Sequence, residues 1–150
     1  MAADLVQSFL DMAESSTSFS ASFLQGAADL IAALGYTLTD GDDVLLAFSA
    51  EYVEQEIRNA CNVPEVPYGL YPVATELIVA RFLTAVKGRL TEAETAALDF
   101  TPILKELHEG DTRLVWDAGS GSSAAQRLDL LIAHLESGKS QFVTYRRLKW

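Results

Sequence analysis

The stretch G-S-G-S-S-A at 119–124 holds the one glycine pattern in this chain that could do recognisable chemistry. Its G-x-G-x-x-A spacing follows a predicted strand and opens a predicted helix, as in a dinucleotide fingerprint. Free N–H groups at a helix N-terminus can hold an anion such as a pyrophosphate. The surroundings argue otherwise. A doubly wound sheet needs many parallel strands, and only two strand-like runs are present. Where an acid should read the ribose hydroxyl, Arg146 and Arg147 stand instead. A loop with three serines and two glycines reads more simply as a flexible connection.

The other reactive side chains are sparse. Cys61 is the single cysteine, and His108 and His134 are the two histidines. A Cys–His nucleophile needs base and orienter within reach, whereas Cys61 falls on the apolar stripe of a predicted helix, where a free cysteine acts as a small hydrophobe. The histidines lack the tight spacing of metal ligands. His134 sits near a helix C-terminus, where positive charge is favoured. Glu92, Glu94, Asp99, Glu106, Glu109 and Asp111 are scattered, and carboxylates do acid–base work only where burial separates their pKa values. The residues therefore assign no catalytic, cofactor-binding or metal-binding position, and the chain reads as a non-enzyme.

The elements that carry these residues are mainly helical. Leu5, Val6, Phe9, Leu10 and Ala13 have helical spacing, and the Ser/Thr-rich run 15–22 then favours caps and loops. Residues 1–20 read as a loosely attached helix and linker. A helix follows over 21–34, with Phe23, Leu24, Ala27, Leu30, Ile31 and Leu34 inward and Gly35 as its stop. Thr39 or Asp40 caps the next, over 42–61, whose buried stripe is Leu46, Val53, Ile57, Ala60 and Cys61 and whose outer faces hold Glu51, Glu54, Glu56 and Arg58. N-V-P-E-V-P-Y-G-L-Y-P at 62–72 is a Pro/Gly hinge, since each proline turns the preceding residue away from the α region. Pro72 opens a helix over 72–87 that is apolar nearly all round, as a central helix would be. Thr91 and Glu94 have capping-box spacing. R-L-V-W-D at 113–117 reads as a strand, 124–137 as an amphipathic helix with Ser122 or Ser123 as its cap and Gly138 as its stop, and 141–148 as a second strand. The expected fold is thus mainly α, a bundle of four to five helices with a small two-stranded β element near the C-terminus. A single domain spans 21–150 and ends in a tail at 139–150.

Charge divides the chain. Its net charge is −10, yet residues 139–150 hold four of the eleven cations and none of the twenty-one acids, leaving 1–138 at −14. An acidic body repels phosphate backbones, which argues against general nucleic-acid binding. One cysteine excludes an internal disulfide and suits a reducing compartment. The N-terminus has no basic stretch of the signal-peptide kind, and no stretch reads as apolar and long enough to span a bilayer. The tail Q-F-V-T-Y-R-R-L-K-W mixes aromatic, apolar and cationic residues, a composition typical of interfaces. As a strand it would put Phe142, Thr144, Arg146 and Leu148 on one face, with Val143, Tyr145, Arg147 and Lys149 on the other. It could pair with 113–117 in its own subunit or add to another chain.

Two segments also resemble a known family. I-R-N-A-C-N-V-P-E-V-P-Y-G-L, carrying Ile57, Asn59, Cys61, Asn62, Val66, Pro67, Gly69 and Leu70, followed by a long apolar helix, resembles the middle of small head–tail connector proteins of tailed bacteriophages and prophages. E-G-D-T-R-L-V-W and the closing Y-R-R-L-K-W resemble the end of the same group. The likeness runs in order over about residues 40–150 and does not reach the first twenty. It implies a mostly helical, non-enzymatic structural protein without cofactor. Such a protein forms a homo-oligomeric ring, with a dodecamer as one candidate size, between the portal and the tail or its stopper. It would be assembled in the host cytoplasm and reside in the virion neck. DNA would pass through its channel without specific binding, for which an acidic lining is suited. Phe142, Tyr145, Arg146, Arg147, Leu148, Lys149 and Trp150 are then the expected docking arm toward a neighbouring subunit or the portal. Two alternatives stand beside this: another neck, tail-completion or stopper protein, and a small nucleotide-binding domain using the 119–124 loop.

Overall fold

A computed structural model describes residues 2–98 and 123–148. Among them are six helices and several single turns: α1 (Ala2–Ser16), α2 (Ala21–Ala33), α3 (Asp42–Cys61), α4 (Tyr71–Val86), α5 (Glu92–Ala96) and α6 (Ala124–Glu136). The fold is mainly α, and no strand occurs among the described residues.

Local chemistry explains where the helices start and stop. Ser20 caps α2 by accepting from the Phe23 N–H at 3.2 Å. At the other end Gly35 takes a positive φ of 88°. That lets its N–H reach the Ala32 carbonyl and the Tyr36 N–H reach Ile31, a Schellman pair. Asn62 ends α3 in the same left-handed region, with its successor Val63 bonding back to Arg58. Thr91 with Glu94 and Ser123 with Gln126 each close a capping box.

Packing converts these helices into one core. Helix α4 is its centre and touches α2, α3 and α6. Nine of its side chains are buried, among them Leu77, Ile78, Phe82 and Leu83. Together with the turns that flank it, Tyr68–Arg89 spans 22 residues and contains an 18-residue stretch with a mean hydropathy of 1.3, long and apolar enough to cross a membrane by length and composition. The expectation that no stretch qualifies is corrected here. Its apolar residues are accounted for by burial against the neighbouring helices.

Helix α1 is not loosely attached. It packs along α3, with Phe9 and Ala13 fully buried. The Ser/Thr run that follows is held as well. Phe19 is buried against Phe23 and Tyr71, with ring centroids 4.5 and 6.2 Å away. Glu54, expected on an outer face, is buried and accepts both the N–H and the hydroxyl of Ser18. A buried carboxylate needs such donors, and the linker supplies them. Ala60, conversely, is exposed rather than part of the α3 stripe.

The strand expected at 141–148 is absent. A 3₁₀ turn covers Ser137–Gln141, one α-helical turn covers Phe142–Tyr145, Arg146 is extended, and Arg146–Leu148 belong to no helix or strand. Phe142 and Tyr145 share the inward face because they are three apart on a helical turn. The predicted strand at 113–117, and all of the 119–124 motif except Ser123 and Ala124, lie outside the described residues.

Candidate interaction surface

The C-terminal segment is built onto the hinge that follows α3. Phe142 is buried, and its carbonyl accepts from the Cys61 thiol at 3.6 Å. The Arg147 N–H donates to the Cys61 carbonyl at 2.8 Å, and Asn62 Nδ2 donates to the Arg147 carbonyl at 3.3 Å. Tyr145 lies over Gly69 so closely that a Cβ there would fall 2.0 Å from its hydroxyl oxygen. Gly138 likewise leaves room for Val73, whose methyl carbon would meet a Cβ at 2.9 Å. Two glycines therefore let the chain end approach the hinge and the start of α4.

This anchoring leaves side chains free to face outward. Arg146, Arg147 and Leu148 are exposed, Leu148 by 72%, and Val143 by 76%. Of the expected docking arm, Phe142 and Tyr145 are thus inward anchors, and Arg146, Arg147 and Leu148 are presented to the outside. Lys149 and Trp150 lie outside the described residues. No ion pair joins Arg146 or Arg147 to a described carboxylate, whereas Lys139 pairs with Glu56 at 3.3 Å and Lys87 with Asp129 at 3.3 Å.

A second surface was not singled out from the sequence. Val44, Phe48 and Tyr52 recur every four residues on α3 and form an exposed stripe, with Phe48 63% exposed. The signal was legible as i, i+4, i+8 spacing, but the buried stripe of the same helix dominated the pattern. Beside it, Leu45, Phe48, Tyr52, Arg81 and Ala85 line an open groove of about 610 Å³ between α3 and α4. The Arg81 guanidinium sits 3.3 Å above the Tyr52 ring centre, a cation–π contact that fixes one wall. Glu51 lies at the groove edge and is exposed.

Compared with family models, curated proteins and solved structures, the chain finds no match.

The buried ionisable groups act as structural ties. Asp42 is 0% exposed at the start of α3. Its carboxylate accepts from the Tyr36 hydroxyl at 2.6 Å, from the Thr39 N–H at 2.9 Å, from the Thr39 hydroxyl at 3.1 Å and from Arg89. Burial alone would raise its pKa, but these donors outweigh burial and hold the carboxyl below its ordinary value of 3.8. Burial, together with the hydrogen bond to Asp42 and its charge, pushes the Tyr36 hydroxyl up to about 12. The network joins the loop after α2, the start of α3 and the turn Lys87–Arg89 that follows α4. Cys61 is fully buried, and burial raises its thiol pKa, which suppresses the thiolate. Among the described residues, no three His, Cys, Asp or Glu side chains are placed to hold a metal ion. His134 is in the last turn of α6, and His108 lies outside the described residues.

Proposed function

We propose that this protein is a structural head–tail connector of a tailed bacteriophage or prophage, a subunit of a homo-oligomeric ring between portal and tail. One observation carries the reading. The two stretches that resemble that family, around Asn59–Leu70 and Tyr145–Leu148, are some eighty residues apart in sequence yet interlock. Arg147 bonds to Cys61, Asn62 bonds to Arg147, and Tyr145 rests on Gly69. Residues that carry a resemblance and also meet in space form one structural unit rather than two coincidental patterns.

The surfaces support the same reading. The chain presents an apolar stripe on α3 and cationic and apolar side chains at its end, both of which call for a macromolecular partner. Its charge favours a channel wall through which DNA slides, because an acidic surface does not hold phosphate. Portal protein, tail or stopper protein and further copies of the chain are the proposed partners, and the virion neck is the proposed location.

Co-expression with the portal protein of the same phage tests this. Electron microscopy of the purified complex should show a ring of added density beneath the portal. A chain that stays monomeric by light scattering at high concentration, and also fails to co-purify with portal, would refute the proposal.

A further inference from the structure

We infer that the α3–α4 groove is the socket for the C-terminal arm of a second copy of this chain, with Arg146, Arg147 and Leu148 seated against Phe48, Tyr52 and Glu51. The contact deepens the ring proposed above and rests on it.

Three observations lead there. First, the two surfaces are complementary. The groove offers exposed aromatic rings and the exposed Glu51, its own cation Arg81 being taken up by the Tyr52 ring, and the arm offers the exposed Leu148 with two cations. Second, neither side is satisfied at home. No ion pair joins Glu51, Arg146 or Arg147 to another described residue, whereas the exposed Lys87, Arg89 and Lys139 each have a carboxylate and the exposed Arg81 is held on the Tyr52 ring. In a chain of net charge −10, two adjacent exposed cations with no ion pair to a described carboxylate leave that end of the chain open to an acidic partner. Third, the arm is kept from its own groove. The Arg147 N–H is tied to the carbonyl of Cys61, the last residue of α3, whereas Glu51 lies ten positions earlier on that helix. At 1.5 Å of rise per residue, that is about 15 Å along the axis. An arm tied to the end of α3 stays away from a socket at the middle of the same helix, but it can reach that socket on a neighbouring subunit. Such a contact is heterologous, and it generates a ring when the rotation closes.

Charge reversal in trans tests it. Glu51→Arg and the double change Arg146→Glu with Arg147→Glu alter only exposed side chains, so both variants should keep the circular dichroism of the parent. Each alone should raise the concentration needed for half-assembly, read by sedimentation velocity, by about tenfold or more, the change that 1.4 kcal/mol produces. An equimolar mixture of the two should assemble again, because each chain's reversed half then matches the other's. Assembly of both single variants at the parental concentration, or no recovery on mixing, would overturn this contact while leaving the ring intact. A parent chain that does not self-associate at all would overturn the ring and this contact with it.

Discussion

Replacing Asp42 removes the acceptor at the centre of the buried network and should be among the costliest changes of a charged residue in this protein. The magnitude follows from the geometry. Four donors converge on its carboxylate, but they are not equal. Arg89 is half-exposed and returns to water when its partner is lost, so it contributes little. The Thr39 hydroxyl, at 3.1 Å on an exposed residue, is also easily rehydrated. The Tyr36 hydroxyl and the Thr39 N–H make the two shortest neutral-donor bonds, at 2.6 and 2.9 Å. Hydrogen bonds to a charged group contribute about 1.5 kcal/mol or more each, so Asp42→Ala should cost about 3 kcal/mol. That is roughly a hundredfold in the folding equilibrium and a large share of a typical domain's stability, on the order of 5–15 kcal/mol. Urea unfolding at pH 7, followed by helical circular dichroism, measures it directly. The sign of the pH dependence is also fixed. The folded carboxyl titrates below its ordinary value of 3.8, so the stabilisation is present above the unfolded pKa and is lost as pH falls through the folded one. The gap between parent and Asp42→Asn should therefore narrow as pH falls below 3.8. A cost below about 1 kcal/mol at pH 7, or a gap that does not change with pH, would refute this account of the network.

Further outcomes follow from the same structure. Tyr36 should titrate near pH 12 in a 295 nm absorbance titration compared with a Tyr36→Phe variant, and between its ordinary value of 10 and 12 the fold should lose stability, since a raised pKa favours folding only while the proton is held. Gly69→Ala should cost about 1–3 kcal/mol by overpacking against Tyr145. In a Tyr145→Ala background the same change should cost almost nothing, and a double-mutant cycle by urea unfolding reads the difference. Phe82→Ala, which empties the fully buried site where Phe82 meets the Tyr36 ring at 5.5 Å, should cost about 3–5 kcal/mol in the same assay. The Cys61 thiol should react with a thiol reagent only at the rate at which the structure opens, and immediately in denaturant. Fast labelling of the folded protein would show that the chain end does not cover it.

Most of the bundle is written in the sequence, because its signals are local. The 3.6-residue spacing of Leu46, Val53, Ile57 and Cys61 defines α3, and the prolines at 64, 67 and 72 force the hinge before α4. Gly35 and the two capping boxes set ends through groups only three to five residues apart. The tertiary structure alone decided three other matters. It packed α1 and the serine-rich run into the core, since an amphipathic helix does not state how tightly its partner α3 will receive it. It buried Glu54, because the donors that make this tolerable come from Ser18, 36 residues away. It also turned Phe142–Tyr145 into a helical turn. An apolar pair three apart fits an alternating strand no better than a turn, and a strand needs a partner edge, whereas a turn needs only a surface. That surface is made by Cys61, Gly69 and Val73, brought together from far along the chain. The candidate interaction surface divides in the same way: its residue types were legible in the tail, but which side chains anchor and which face outward depended on contacts that no local pattern encodes.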